Sequence, residues 1–302
     1  MITLNTDRGL IRLENFNDVF EIPGFTVDVD PKESKLESII GNYQEKDLVR
    51  CGLSSCHTKH GKGYLVKVED GTVTNIGKDC GKTHFGVDFE SMSRQMDRDI
   101  EYKERRENLK AFQSLIPDYQ ENVNDLRTQE SGADWLYGNI KKLTTPGKDV
   151  PDSVVEITRK VRLTRNPELT RPRFATSEEV KQIEVAERRK IEGPYYIDEP
   201  VGRLQGIAAL YPENDLRDLL VLGLEKLFKE LEELDVDSLT SPQLRANINR
   251  ATSADSQLSQ AQNAIAEGRR FLQAENLSQL MQFTEDQDEE RLFANFLKAL
   301  NA

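Results

Sequence analysis

The sequence predicts a mainly α-helical protein that begins with a small α+β module. Three observations carry this prediction. All three cysteines and all three histidines of the chain fall between Cys51 and His84, and a short pair of strand-like segments lies inside that cluster. From Phe89 onward apolar residues recur every three to four positions, the period of a helix with one buried face. The final third carries two leucine- and alanine-rich stretches with the spacing of packed helices. The division that follows is an N-terminal module over residues 1–95 and a helical domain or arm over 96–302, with a break near 193–212.

In chain order, residues 1–46 read as a small strand-and-helix entry. Asp30 is placed to cap a helix, Pro31 suits the first helical position, Glu33 completes a capping-box spacing, and Gly41 follows Ile39 and Ile40 as a stop. The stretch GYLVKVEDGTVTNIG reads as two strands joined at Glu69-Asp70-Gly71, since an Asp-Gly pair favours a turn with positive φ. Phe89, Met92, Met96, Ile100, Leu109, Phe112 and Ile116 then mark a helix that ends at Pro117. Further helices are expected over 123–143, 153–163 and 178–191, separated by Thr145-Pro146-Gly147, Asn166-Pro167 and Arg171-Pro172. The segment PYYIDEPVGRLQGIAALYP reads as an extended excursion between helices. Beyond it, Leu216, Leu220, Leu224, Leu227, Leu231 and Leu234 line one helix face, with Leu219 and Leu222 widening it. Ala254, Leu258, Ala261, Ile265, Gly268 and Leu272 form a heptad, coiled-coil-like seam whose small residues allow close approach. An antiparallel helical hairpin or a dimer seam would bury both faces. The last helix starts on the acids of EDQDEERLFANFLKAL, which suit a helix N-terminus.

Composition narrows the function classes. Hydrophobic residues make up 37% of the 302 residues and charged residues 31%, a balance that suits extended helical surface better than a compact α/β enzyme. The formal net charge of -12 repels polyanions, so nucleic-acid binding would need a local basic face. No run of about 18 apolar residues is present to span a membrane, and the chain start lacks the charged-then-apolar order of a signal peptide. A cytoplasmic location is the resulting expectation. Three cysteines in a chain of this length argue against a secreted disulfide framework and toward metal binding or free thiols.

Zinc needs four donors at tetrahedral corners, and short-range pairs supply two from one tight loop. Cys51 and Cys56 form a C-x4-C pair. Cys80 and His84, four residues apart at the start of a helix, share one of its faces. Cys51, Cys56, Cys80 and His84 are therefore the expected ligands of one structural Zn2+, with His60 and then His57 as alternatives to His84. The order of loop pair, hairpin and helix-borne pair over residues 47–95 resembles a treble-clef zinc finger. Both pairs in the commonest treble clef are C-x2-C, from which this chain departs. A four-donor set leaves no open position for water, so the resemblance implies a structural site. The stretch GKDCGKT over 77–83 resembles a phosphate-binding loop but is one residue short of the G-x4-GK[ST] spacing.

A second basic feature lies at 159–190, where Arg159, Lys160, Arg162, Arg165, Arg171 and Arg173 lead a run in which basic residues outnumber acidic ones. These side chains are either phosphate contacts for a nucleic acid or partners of acidic helices in the same protein or a second copy. The leading expectation is a non-catalytic zinc-finger adaptor or assembly protein that acts through protein contacts of its helical region, self-association included. The alternative is a nucleic-acid-binding protein using the finger and the basic segment. A third reading is an HNH-like metal-dependent nuclease, which would need an imidazole free to activate water.

Overall fold

The computed structural model describes residues 1–300. In chain order the elements are β1 (Ile2–Thr6), β2 (Gly9–Leu13), β3 (Leu36–Arg50), β4 (Lys59–Val68), β5 (Val73–Gly77), α1 (Lys78–Thr128), α2 (Ala133–Thr144), α3 (Asp152–Thr164), β6 (Glu168–Phe174), α4 (Ser177–Glu187), β7 (Tyr196–Arg203), α5 (Lys226–Glu232), α6 (Ser241–Thr252), α7 (Ala254–Phe271), α8 (Ala274–Ser278) and α9 (Gln287–Leu300). The chain divides into two compact units: one comprises Met1–Ser114 and Asp235–Asn249, the other Leu115–Leu234 and Arg250–Ala302. Among the described residues, no helix is long and apolar enough to cross a membrane.

The first unit is built on an antiparallel sheet of order β2-β1-β3-β4-β5. Alternation along β4 sends Tyr64 and Val66 to one face and Leu65 to the other, as the two-residue strand period requires. On the first face Ile39, Tyr64, Val66 and Ile76 pack with Phe89, Met96 and Ile100 of α1. On the second, Ile2, Tyr43 and Leu65 pack with Val19. The expected helix after Asp30 is absent: Leu36–Arg50 is a strand. Asp30 caps a turn instead, its Oδ1 accepting from Lys32 N at 2.9 Å, and a register irregularity between Ile39 and Gly41 puts Ile39 on the first face of the sheet and Tyr43 on the second. β-Branched Ile39 and Ile40 sit more readily on a pleated surface than in a helix.

The expected β4–β5 hairpin is present. Its turn has Gly71 at φ 90°, and Asp70 Oδ1 accepts from Thr72 N at 2.8 Å. Helix α1 follows directly and is interrupted at Gly86, with φ 60° and ψ -138°, a conformation that favours glycine. The break lets Phe89 close back onto the first turns: a methyl at Gly81 would fall 2.3 Å from Phe89 Cζ. Pro117 does not end the helix, which continues to Thr128. Ile116 and Val123 on either side of it are both fully buried, and packing of this kind offsets the hydrogen bond a proline removes.

In the second unit, α7 carries the predicted seam. Ala254, Leu258, Ala261, Ile265 and Leu272 are buried, and Gly268 lies under Leu136 of α2, with a methyl there only 3.2 Å from Leu136 Cδ2. The seam is therefore filled by the chain's own helices. The leucine stretch before it is a π-helix over Asp218–Glu225 continued by α5, and Leu220, Leu224, Leu227 and Leu231 are buried. Arg127 ties this layer together, with its Nε 3.0 Å from Asp134 Oδ1 and its Nη1 2.5 Å from Glu225 Oε1.

The extended excursion is β7, which pairs antiparallel with β6 as a two-stranded ribbon. Between them α4 opens with a capping box in which Thr176 and Glu179 bond each other's backbone amides. The Arg173 guanidinium, 2.6 Å from Glu179 Oε1, and the Thr176 bonds hold the Glu179 carboxyl down at about 2. A depressed carboxyl stabilises the folded form above its ordinary value and loses that effect as pH falls through the depressed one. The helicity of Ser177–Glu187, read from backbone NMR shifts, is expected to hold at pH 5 and to fall as pH is lowered from about 4.5 toward 2.

Candidate metal centre

Cys51 and Cys56 lie in the connection from β3 to β4, and Cys80 lies in the first turn of α1. The connection is braced at both ends. Cys51 N donates to Thr58 O at 3.0 Å, Cys56 N to Leu53 O at 3.2 Å, and Gly52 N to Asn75 O at 2.8 Å. Asn75, buried in β5, donates its Nδ2 to Arg50 O at 2.8 Å and to the Tyr43 hydroxyl at 3.2 Å. This asparagine is a positioning residue that sequence reasoning passed over. Its signal was a polar amide in a strand otherwise made of apolar and small residues.

The three Sγ atoms lie within 4.8 Å of one another, and Cys56 Sγ is 2.9 Å from Cys80 Sγ. All three thiols are free. With Zn–S bonds of about 2.3 Å, a tetrahedron has S–S edges of about 3.8 Å; the trio lies within reach of that size, and the Cys56–Cys80 pair, at 2.9 Å, has to open to meet it. Backbone amides are already directed at the sulfurs: Leu53 and Gly77 at Cys51, and Thr58 at Cys56 with its hydroxyl added. Hydrogen bonds of this kind favour the thiolate, the form that binds metal.

The electrostatics of the trio are those of anions crowded together. The bond from Cys80, then those from Thr58, lower Cys56 to about 7. Burial, with the neighbouring thiols, pushes Cys80 up to about 12. Burial likewise raises Cys51, which is 1% exposed. Thiolates at this spacing repel one another, and a divalent cation between them reverses the sign of that interaction.

No histidine or carboxylate joins the three sulfurs among the described residues. His84 is exposed, although sequence spacing placed it fourth. Sharing a helix face with Cys80 does not by itself place His84 at the sulfurs, and it lies outside their cluster. His57 is also exposed; its Nδ1 lies 2.8 Å from Arg50 Nη2. His60 is half-buried, with Nδ1 3.0 Å from Val49 O and Nε2 3.4 Å from the Tyr43 hydroxyl. Its ring lies against Gly77, where a methyl would come within 2.0 Å of His60 Cδ2. Burial lowers the His60 pKa, keeping the ring neutral.

The basic segment belongs to the second unit, and much of it is paired within that unit. Arg165 meets Glu213 at 2.8 Å and lies over the Tyr211 ring. Arg171 donates to Gln282 O and lies over Phe283. Arg173 is held by Glu179 and Glu199. Arg159 and Lys160 are exposed on α3 and Arg162 is half-exposed. No protein-family model, curated protein or solved structure matches the chain.

Proposed function

We propose that this chain is a non-catalytic assembly protein whose N-terminal unit is pinned by one structural Zn2+. The gathering of the Cys51, Cys56 and Cys80 sulfurs within 4.8 Å carries this reading. Loop, hairpin and helix supply them in the order of a treble clef, with two donors before the β4–β5 hairpin and one after it. His60 is the proposed fourth donor, from outside the three-sulfur cluster: its Nδ1–H is spent on Val49 O, and its Nε2, 3.4 Å from the Tyr43 hydroxyl, has to leave that contact to reach the ion. Its ring rests on Gly77, whose amide is directed at Cys51. The internal pairing of Arg165, Arg171 and Arg173 favours protein contacts over a phosphate backbone for the helical region.

Metal analysis of the purified full-length protein tests this directly. One zinc per chain is expected in the wild type and in His84→Ala, and loss in Cys80→Ser. His60→Ala is expected to weaken binding by roughly 10- to 100-fold or more, as loss of a supporting or direct ligand does. Cobalt substitution should give intense visible bands of tetrahedral thiolate ligation in the wild type. A metal-free wild type that remains folded would discard the proposal, and a His84 variant that loses zinc while His60→Ala keeps it would move the fourth donor.

A further inference from the structure

Helix α4 is eleven residues long and buries none of them. The ribbon that carries it has only two strands. Isolated helices of this length and isolated hairpins are both marginal in water, so this region has reason to be covered. Its exposed apolar side chains include Val185 at 80%, and Phe174 and Tyr196, whose rings lie 4.4 Å apart, at 57% and 58%.

The charges on α4 specify what covers it. At 100° per residue, Glu178, Lys181 and Val185 fall in a stripe about 60° wide, and the C-cap residue Arg188, left-handed at φ 53°, follows at its C-terminal end. All four are exposed. The three charged members take no part in the ion pairs or side-chain hydrogen bonds of the described residues. Acid stands at the N-terminal end of the stripe and base at the C-terminal end. We infer that α4 is a contact between two copies of this chain, packed antiparallel about a twofold axis that crosses the stripe at the level of residue 183. In that register Glu178 of each copy meets Arg188 of the other, and Val185 of each lies on the Lys181 methylenes of the other. Such a contact is self-complementary, as a twofold interface must be, and it opposes the two helix dipoles favourably. A polyanion would instead meet Glu178 on the stripe and arginines already engaged, since Arg173 and Arg189 are paired with Glu179 and Glu187. The inference rests on the assembly reading and is independent of the metal.

Sedimentation velocity of the full-length, metal-loaded protein over a concentration series tests it. The wild type is expected to form dimers. Glu178→Arg or Arg188→Glu alone should weaken dimerisation by roughly tenfold or more, because symmetry counts each lost pair twice. The double variant Glu178→Arg/Arg188→Glu should recover it, and raised salt should weaken the wild-type dimer. Circular dichroism checks that each variant is folded. A wild type that stays monomeric, single variants that dimerise like the wild type, or a double variant that does not recover would each overturn the inference. Zinc content is read on the same samples: a zinc-loaded monomer sinks the α4 contact alone, and a metal-free dimer sinks the metal reading alone.

Discussion

On the proposed zinc reading, a strong chelator, or replacing Cys51 by serine, is expected to unfold the N-terminal unit while the second unit keeps its protected amides. Structural zinc sites contribute about 10 kcal/mol or more of apparent binding free energy at neutral pH, comparable with the whole stability of an ordinary domain, about 5 to 15 kcal/mol. The trio offers little to replace that contribution. Without a cation, Cys51 is a buried thiol beside two others in a connection with few apolar side chains. Residue-resolved hydrogen exchange checks the outcome: amides of β4 and β5 should lose protection and those of α7 should not. Equal protection in both units with and without chelator would contradict it.

Phe89→Ala is expected to be the most damaging single change away from the sulfurs. Phe89 is fully buried, meets Tyr64 edge to face at 5.5 Å, and covers Gly81 one residue beyond Cys80. Deleting such a ring costs about 3 to 5 kcal/mol through lost transfer energy and an unfilled cavity. Its position makes the loss felt at the metal. The first turns of α1 would lose the contact that seats them, so zinc affinity should fall together with the denaturant midpoint. Phe89→Leu should recover part of both. A variant that unfolds at the wild-type midpoint would show that the ring does not clamp this helix.

The N-terminal unit could be read in the sequence only where chemistry was concentrated. The cysteine spacing located the sulfurs because all three thiols of the chain fall between residues 51 and 80. The Asp-Gly turn located the hairpin because positive φ restricts the choice of residue. Asp30, Pro31 and Glu33 imitate a capping sequence where the chain goes on into the strand Leu36–Arg50, and a local signal of this kind does not report the neighbouring strands that decide the outcome. Pro117 misled in the opposite sense: its effect on an isolated helix is clear, whereas here Ile116 and Val123 are buried on both sides of it. His84 is exposed and lies outside the three-sulfur cluster, a placement that spacing along a helix does not report. The heptad of α7 was visible as an apolar stripe. That Leu136 of the same chain fills it could not be, since periodicity names a face and not its occupant.

The placement of all three sulfurs between residues 51 and 80, around a hairpin made of neighbours in sequence, bears on the order of events during synthesis. Contacts local in sequence form early, and a chain leaving the ribosome folds from its N-terminal end. The three thiols can therefore be brought together while most of the helices are still untranslated, so that the proposed ion would be bound before the second unit exists.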